Sequence, residues 1–540
     1  MRNLEYLPRK LWWVATKALQ RRPKLRVLIR KSKENQKRGR EEMKRGGEGE
    51  KWKGEKEVRN LREREGEGLG FSNEEGKKHI QISKPSLASC NNLPMAKVES
   101  VHDFLKGKTI LVTGATGFVG KVSVEKILRV QPDIKKLYLL LRASNPYLAT
   151  HRLQNEVIGK DIFRVLRDKW GADFGSFISK KVVAVAGDVS LNNLGIKDEN
   201  MRSQMFEELN VIVHTAATTN FNERYDIAIG TNTMGAFHVV NFAKSCHKLG
   251  IVLHVSTAYV CGEAEGLIVE EPLHVNGMQK GSTKLDIELE KQLIEEKLKE
   301  FKAHNTDKEV ITSVMKSFGL ARANLHGWPN TYVFTKAMGE ILLMKMKDTL
   351  PLFVIRPTTV VSTHSEPFPG WIEGVRTIDF VVVNYGQGIL TSFVGNSETI
   401  LDLIPVDMVV NFMIVALMAL SKGLSKNLVY HIGSSLRNPI KLTDVVDAMY
   451  YYFKKNPCVD KYGKLMAVTK KLTITGANEF NQNKGSKLVK KTEDLYKTYS
   501  LFKGIFDVKN AESLRIVTKG LLMWMVNLTL IQRTLIGKTT

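Results

Sequence analysis

The chain has 540 residues, 43% of them hydrophobic, and a formal net charge of +25, enough length for a large core and more than one domain. Nearly half of the basic excess sits in Met1–Pro94, where 25 Lys/Arg face 13 Glu. The rest is spread over the body with no basic cluster interleaved with aromatics, which removes the nucleic-acid signature there, whereas a basic surface suits phosphorylated cofactors and anionic membranes. Cys90, Cys246, Cys261 and Cys458 form no CxxC pair, so neither a zinc site nor a disulfide framework is expected, and a reducing compartment fits.

In chain order, Met1–Arg30 carries one acid, Glu5, and an apolar patch at Leu11–Ala18. A targeting peptide, a membrane-surface helix and a dispensable solvated tail all remain open for it. Residues 31–78 are rich in Lys, Arg, Glu and Gly, with few apolar residues, and are expected to be disordered. Ordinary globular composition begins at Met95. The organisation read from the sequence is a basic extension over 1–94, a globular body over 95–425, a mainly helical domain over 426–515 and an apolar tail over 516–540.

The stretch KTILVTGATGFVG organises the body over 95–425, which the features below mark as a dinucleotide-binding domain. A short apolar strand, Thr109–Thr113, runs into Gly114, Gly117 and Gly120, and helical patterning follows. Gly114 allows the tight turn, Gly117 the close approach of a pyrophosphate, and Gly120 the packing of helix on strand, with the helix N-terminus holding phosphate charge. The GxxGxxG spacing belongs with short-chain dehydrogenase sheets. A second strand, Lys136–Leu141, ends at Arg142, where an arginine accommodates a ribose 2′-phosphate and an acid would take the 2′-hydroxyl. That favours NADPH. A third strand, Lys181–Ala186, ends at Gly187-Asp188-Val189, with Asp188 placed at the adenine edge or serving as a helix cap. A fourth, Val211–Val213, leads to Ala216 and Ala217, small residues that leave room for a cofactor. Strands at Ile251–Val255 and Pro351–Ile355 complete the alternation expected of a doubly wound parallel α/β sheet. The apolar runs Met408–Leu420 and Leu521–Ile531 are too short to span a bilayer.

Tyr332 and Lys336 lie four apart after the helix-start signal Trp328-Pro329-Asn330, and so share one helical face. A lysine there holds the cofactor ribose and is expected to lower the tyrosine pKa, fitting the phenol for proton transfer. The hydroxyl of Thr257, or of Ser256, at the end of the fifth strand is the candidate for binding a reacting carbonyl oxygen.

Beyond these motifs, LYLLLRA, GDVS, HTAATTNFNERYD, HVSTAYV, GWPNTYVFTKAMGE, RPTTV, EPFPGWIEGVRTID, IPVDMVVN and HIGSS occur in order. In them the chain resembles the plant alcohol-forming fatty acyl-CoA reductases over roughly Val101–Arg515. The resemblance implies an extended short-chain dehydrogenase fold with a helical C-terminal domain. The implied reaction reduces a long-chain fatty acyl thioester, of CoA or a carrier protein, to a primary alcohol with two NADPH through an aldehyde, in wax- and suberin-type lipid biosynthesis. It assigns Tyr332 as proton donor, Lys336 as its activator and Thr257 as carbonyl partner. Gly114, Thr116, Gly117, Phe118, Val119, Gly120, Arg142, Asp188, Val189, Ala216 and Lys336 fall to cofactor binding. No metal or nucleic acid is expected. Peripheral membrane contact at the endoplasmic reticulum surface, with the plastid as alternative, is the expected location.

Two other functions stay open at this point. One is another extended short-chain dehydrogenase acting on a nucleotide sugar or sterol, since the same three residues serve those reactions. The other is a catalytically impaired, cofactor-binding paralogue, because Ile516–Thr540 departs from the acidic, aromatic ending usual in the family.

Overall fold

The computed structural model describes residues 100–273, 285–460, 462–476 and 496–518. The extension over 1–94, the apolar run Leu521–Ile531 and nearly all of the tail from Ile516 onward therefore lie outside the described residues.

The central sheet is made of β1 (Thr109–Thr113), β2 (Lys136–Arg142), β3 (Val182–Gly187), β4 (Val211–His214), β5 (Ile251–Val255), β6 (Leu352–Pro357) and β7 (Val429–Ile432). Their spatial order is β7-β6-β5-β4-β1-β2-β3, and every pair is parallel. β1 is buried along its whole length and β2 along its five central residues. Such strands read as continuous apolar runs because helices cover both faces of a parallel sheet. One face carries α1 (Phe118–Val130) and the other α2 (Gly235–Lys244), each packed in its own apolar cluster. The chain reverses its winding between β1 and β4, and in open α/β sheets ligands bind at that switch, outside the carboxyl ends of the strands.

An insertion between β5 and β6 supplies α3 (Ile287–Ala303) and α4 (Lys308–Leu325), followed by α5 (Thr331–Lys345). A buried polar cluster ties the first two to the body. Glu290 of α3 accepts from Arg322 Nε of α4 at 2.9 Å and from the Tyr225 hydroxyl at 2.8 Å, and lies 3.1 Å from His326 Nε2. Burial pushes the Glu290 carboxyl up, but its bonds to His326, Arg322 and Tyr225 outweigh that and hold it at about 2.

The expected apolar run at 408–420 is the body of α6 (Val406–Ser421), buried on all sides against α1. No helix among the described residues is long and apolar enough to cross a membrane. One expectation needs correction. The boundary at 425/426 falls before β7, an edge strand of the sheet, so the sheet runs past it. Among the described residues the region beyond contains α7 (Leu442–Lys455) and α8 (Lys509–Val517), a helical turn over 496–500, and short strands that pair back into the part before it. Ile440–Lys441 pairs with Ile400–Leu401, Thr473–Thr475 with Ser392–Val394, and Gly504–Phe506 with Gly266–Ile268. Each segment leaves backbone groups that need a partner, and two or three residues carry too little periodicity to be read from sequence.

Because the folded Glu290 pKa lies below its ordinary 4.5, its contribution to stability is present above pH 4.5 and is lost as pH falls toward 2. Glu290→Gln is expected to flatten the stability curve across that window. Urea denaturation of both proteins at a series of acidic pH values measures it; parallel losses would remove the assignment.

Candidate active site

The site forms where β1, β4 and β5 end. Gly114 follows β1 with φ +74°, and a Cβ there would lie 2.6 Å from the backbone nitrogen of Ala216. A Cβ on Gly120 would meet the Gly114 carbonyl oxygen at 2.4 Å. These contacts make glycine obligatory at both positions, since no side chain fits and the left-handed φ excludes most residues at 114. Gly117 is exposed and stands at the N-cap of α1, and no side chain caps the first turn. The first-turn N–H groups, from Phe118 to Gly120, thus lack the i−4 carbonyls of a helix interior and face the turn's mouth. Backbone donors and the positive helix end at an exposed glycine are the fit a dinucleotide pyrophosphate requires. Thr116, Phe118 and Val119 are partly exposed around that mouth.

A strap from the segment after β6 braces the turn. Lys121 of α1, itself buried, donates to Glu373 at 2.5 Å, and Glu366 pairs with both Lys126 and Arg129. Asp407 at the start of α6 accepts from the backbone N–H groups of His364, Ser365 and Glu366 at 2.8–2.9 Å. The EPFPGWIEGVRTID motif therefore holds the glycine turn in place, with Trp371 packed 5.6 Å from the Phe118 ring.

At the sheet's other flank, Arg142 is 70% exposed at the end of β2, and its Nε lies 3.9 Å from Asp188 Oδ2, an exposed pairing of small strength. Asp188 does not cap a helix. Its Oδ1 accepts from the N–H and hydroxyl of Ser190 at 2.9 and 2.8 Å, closing a turn. The Val189 side chain is buried in the core, and its carbonyl lies 3.0 Å from His238 Nδ1.

The structure brings the three expected catalytic residues together. α5 begins at Thr331, capped by Asn330 Oδ1, which accepts from Val333 N–H at 3.1 Å. Tyr332 in its first turn shares a hydrogen bond with the Thr257 side chain beyond the end of β5. Ser256 Oγ is buried without a partner among the described residues and takes no part in that contact. Lys336, one turn on and fully buried, donates to the Val255 carbonyl at 2.8 Å and lies 3.1 Å from His254 Nε2. Burial lowers the Lys336 pKa to about 8, against the opposing pull of Glu340. The expectation that Lys336 lowers the Tyr332 pKa is overturned. Burial pushes the phenol up to about 12, eased by the Thr257 hydrogen bond, and the lysine is engaged with β5 instead.

Several residues here escaped the sequence reading. Phe221 lies between Tyr332 and Tyr499, with ring centroids 5.8 and 5.3 Å away, and Tyr259 meets Tyr499 edge-on at 4.9 Å. The Tyr499 hydroxyl accepts from Asn330 Nδ2 at 3.1 Å, tying the C-terminal segment to the cap of α5. Only their membership of long motifs (HTAATTNF and HVSTAYV) marked Phe221 and Tyr259, and no local signal marked Tyr499.

A seven-stranded parallel sheet with a glycine turn and a Thr–Tyr–Lys set at its carboxyl edge defines an extended short-chain dehydrogenase-type reductase that takes a nicotinamide cofactor. The terminal reductase domain of the myxalamid biosynthetic pathway has the same fold, at 17% identity and TM-score 0.50 over 77% of this chain and 85% of that one. Residues 112–413 match the family described as male sterility protein, an NAD-binding domain. Fatty acyl-CoA reductase 8 of Arabidopsis thaliana is 46% identical over 77% of this chain and 90% of its own length. The alcohol-forming fatty acyl-CoA reductase of Simmondsia chinensis is 45% identical over 79% and 93%. The chain belongs to the fatty acyl-CoA reductase family.

Gly114→Ala is expected to weaken binding of the reduced nicotinamide dinucleotide at least about tenfold, because the turn must open to admit the methyl group. Fluorescence titration of the bound dinucleotide, with thermal melting as the folding control, measures it.

Proposed function

We propose that this protein reduces long-chain fatty acyl-CoA to a primary fatty alcohol, using NADPH. The observation that carries the proposal is the convergence of Thr257, Tyr332 and Lys336 beside the glycine turn, in a chain matching nine-tenths of the length of named fatty acyl-CoA reductases. The nicotinamide supplies a hydride at each of two reductions.

At the first, the Thr257 and Tyr332 hydroxyls donate to the thioester carbonyl oxygen, where negative charge develops. Tyr332 passes its proton to that oxygen as the hydride adds. The hemithioacetal then gives up its hydroxyl proton with the departing sulfur, so CoA leaves as its thiol and an aldehyde remains. Solvent returns a proton to the phenol. At the second, Tyr332 gives its phenolic proton to the aldehyde oxygen as the alcohol forms. A phenol with a pKa near 12 stays protonated at neutral pH, which suits a proton donor. Lys336 holds the cofactor ribose and brings positive charge to the site. Phe221, Tyr259 and Tyr499, partly exposed beside Tyr332, offer an apolar wall to the first carbons of the acyl chain.

The choice of NADPH is supported by the exposed guanidinium of Arg142, whose weak pairing with Asp188 leaves it able to meet a 2′-phosphate. The nucleotide-sugar and sterol readings have no comparable support from relatives at this identity.

Expression in yeast with analysis of cell lipids tests the activity, and purified protein should consume two NADPH per alcohol formed. Absence of alcohol from folded, NADPH-binding protein would overturn the proposal. Tyr332→Phe is expected to lower kcat by about a hundredfold or more while leaving NADPH affinity unchanged. Arg142→Ala is expected to raise the KM for NADPH about tenfold or more and to leave that for NADH unaltered; equal effects on the two cofactors would contradict the phosphate role.

A further inference from the structure

Among the buried groups that this chemistry does not use, the pair His254 and His214 stands out. They sit opposite each other in the register of β5 and β4, at the carboxyl ends of both strands. Both rings are buried, with centroids 4.9 Å apart. Each keeps one ring nitrogen without a protein partner among the described residues, Nδ1 of His254 and Nε2 of His214. An unpaired polar atom in a sheet core destabilises the fold, so a demand other than packing accounts for these residues.

We infer that His254 is a positioning residue for Lys336: its imidazole accepts a hydrogen bond from the lysine ammonium, orients it at the end of β5 and sustains its charge. The inference deepens, and rests on, the reading of Lys336 as the residue that holds the cofactor ribose.

The proton arrangement follows from donors and acceptors. An ammonium only donates, so His254 Nε2, 3.1 Å from Lys336 Nζ, is the bare nitrogen, and the ring proton is on Nδ1. Thr113 Oγ1, which accepts from Ala216 N–H at 3.3 Å, lies 2.7 Å from His214 Nδ1 and shares a hydrogen bond with it. Burial and the neighbouring lysine hold both imidazoles well below the ordinary histidine range, so neither gains a charge that would repel Lys336. The other groups around Lys336 are Tyr332 one turn earlier and Glu340 one turn later, and Glu340 is itself engaged by Arg356 at 2.7 Å. With that carboxylate committed to another cation, the Val255 carbonyl and His254 are the two acceptors in contact with the ammonium.

Removing the imidazole acceptor costs the charged form of Lys336 a charge-assisted hydrogen bond, so its pKa falls further below about 8. The alkaline limb of activity and of NADPH binding then moves to lower pH. In the full-length chain, His254→Leu is expected to lower kcat about tenfold or more and to move both limbs acidward by about one pH unit. His254→Gln, which presents an amide oxygen near the position of Nε2, is expected to return the limbs to the wild-type position. Lys336→Met is expected to remove them. NADPH affinity is read by fluorescence titration across pH, and thermal melting establishes folding; should His254→Leu not fold, His254→Met takes its place. Folded His254→Leu or His254→Met with wild-type limbs in a protein that Lys336→Met inactivates would overturn this inference alone. Full activity in Lys336→Met would overturn both it and the reading on which it rests.

Discussion

The close approach of backbone to backbone at the β1–β4 switch is the constraint on which the rest of the site depends. Gly114 touches the chain at Thr215 and Ala216, and Gly120 lies against the Gly114 carbonyl and the Thr215 hydroxyl. Thr215 Oγ1 in turn donates to the Thr113 carbonyl at 2.6 Å. Helix α1 can thus begin within van der Waals distance of two strands, and its uncapped N-terminus faces the space beyond the sheet. A side chain at either glycine would push α1 outward and separate the phosphate-binding end from the edge where Thr257, Tyr332 and Lys336 meet.

Around this apposition the protein distributes its buried charge in pairs. Lys121 and Lys126 on α1 are matched by Glu373 and Glu366 of the strap, and Arg356 under α5 by Glu340. Glu290 answers Arg322 across the insertion. Pairing of this kind meets the desolvation cost of each ion and disfavours alternative arrangements that would leave one alone. Lys336 differs: its acceptors are a carbonyl and an imidazole rather than a carboxylate. A carboxylate in direct contact would pin the ammonium as an ion pair, whereas neutral acceptors leave it free to engage a ribose.

The C-terminal part acts on the site through contacts that strand pairing makes possible. Gly504–Phe506 joins Gly266–Ile268, just beyond the Thr257 turn. That pairing carries Phe502 and Phe506 against Tyr259, and Tyr499 against Phe221 and the Asn330 cap. The wall beside Tyr332 is therefore built from residues 221, 259 and 499, which no local pattern connects.

Local order in the sequence was enough for the reductase core. The β1 run, the glycine spacing, the strand ends at Arg142 and Asp188 and the four-residue step from Tyr332 to Lys336 are all short-range features. Their meaning follows from backbone sterics and helical periodicity, which are properties of neighbouring residues. The last sheet strand, Val429–Ile432, and the two- and three-residue strands beyond it were not legible as part of this fold, because pairing with a distant segment is what makes them strands. Protonation was equally out of reach. Spacing alone pointed to a lowered Tyr332 pKa, but burial of the phenol raises it, and Lys336 turns toward His254 and Val255. The sequence by itself determined which side chains the candidate site would hold; the tertiary structure decided their electrostatic state, because desolvation and contact partners exist only once distant strands and helices have come together.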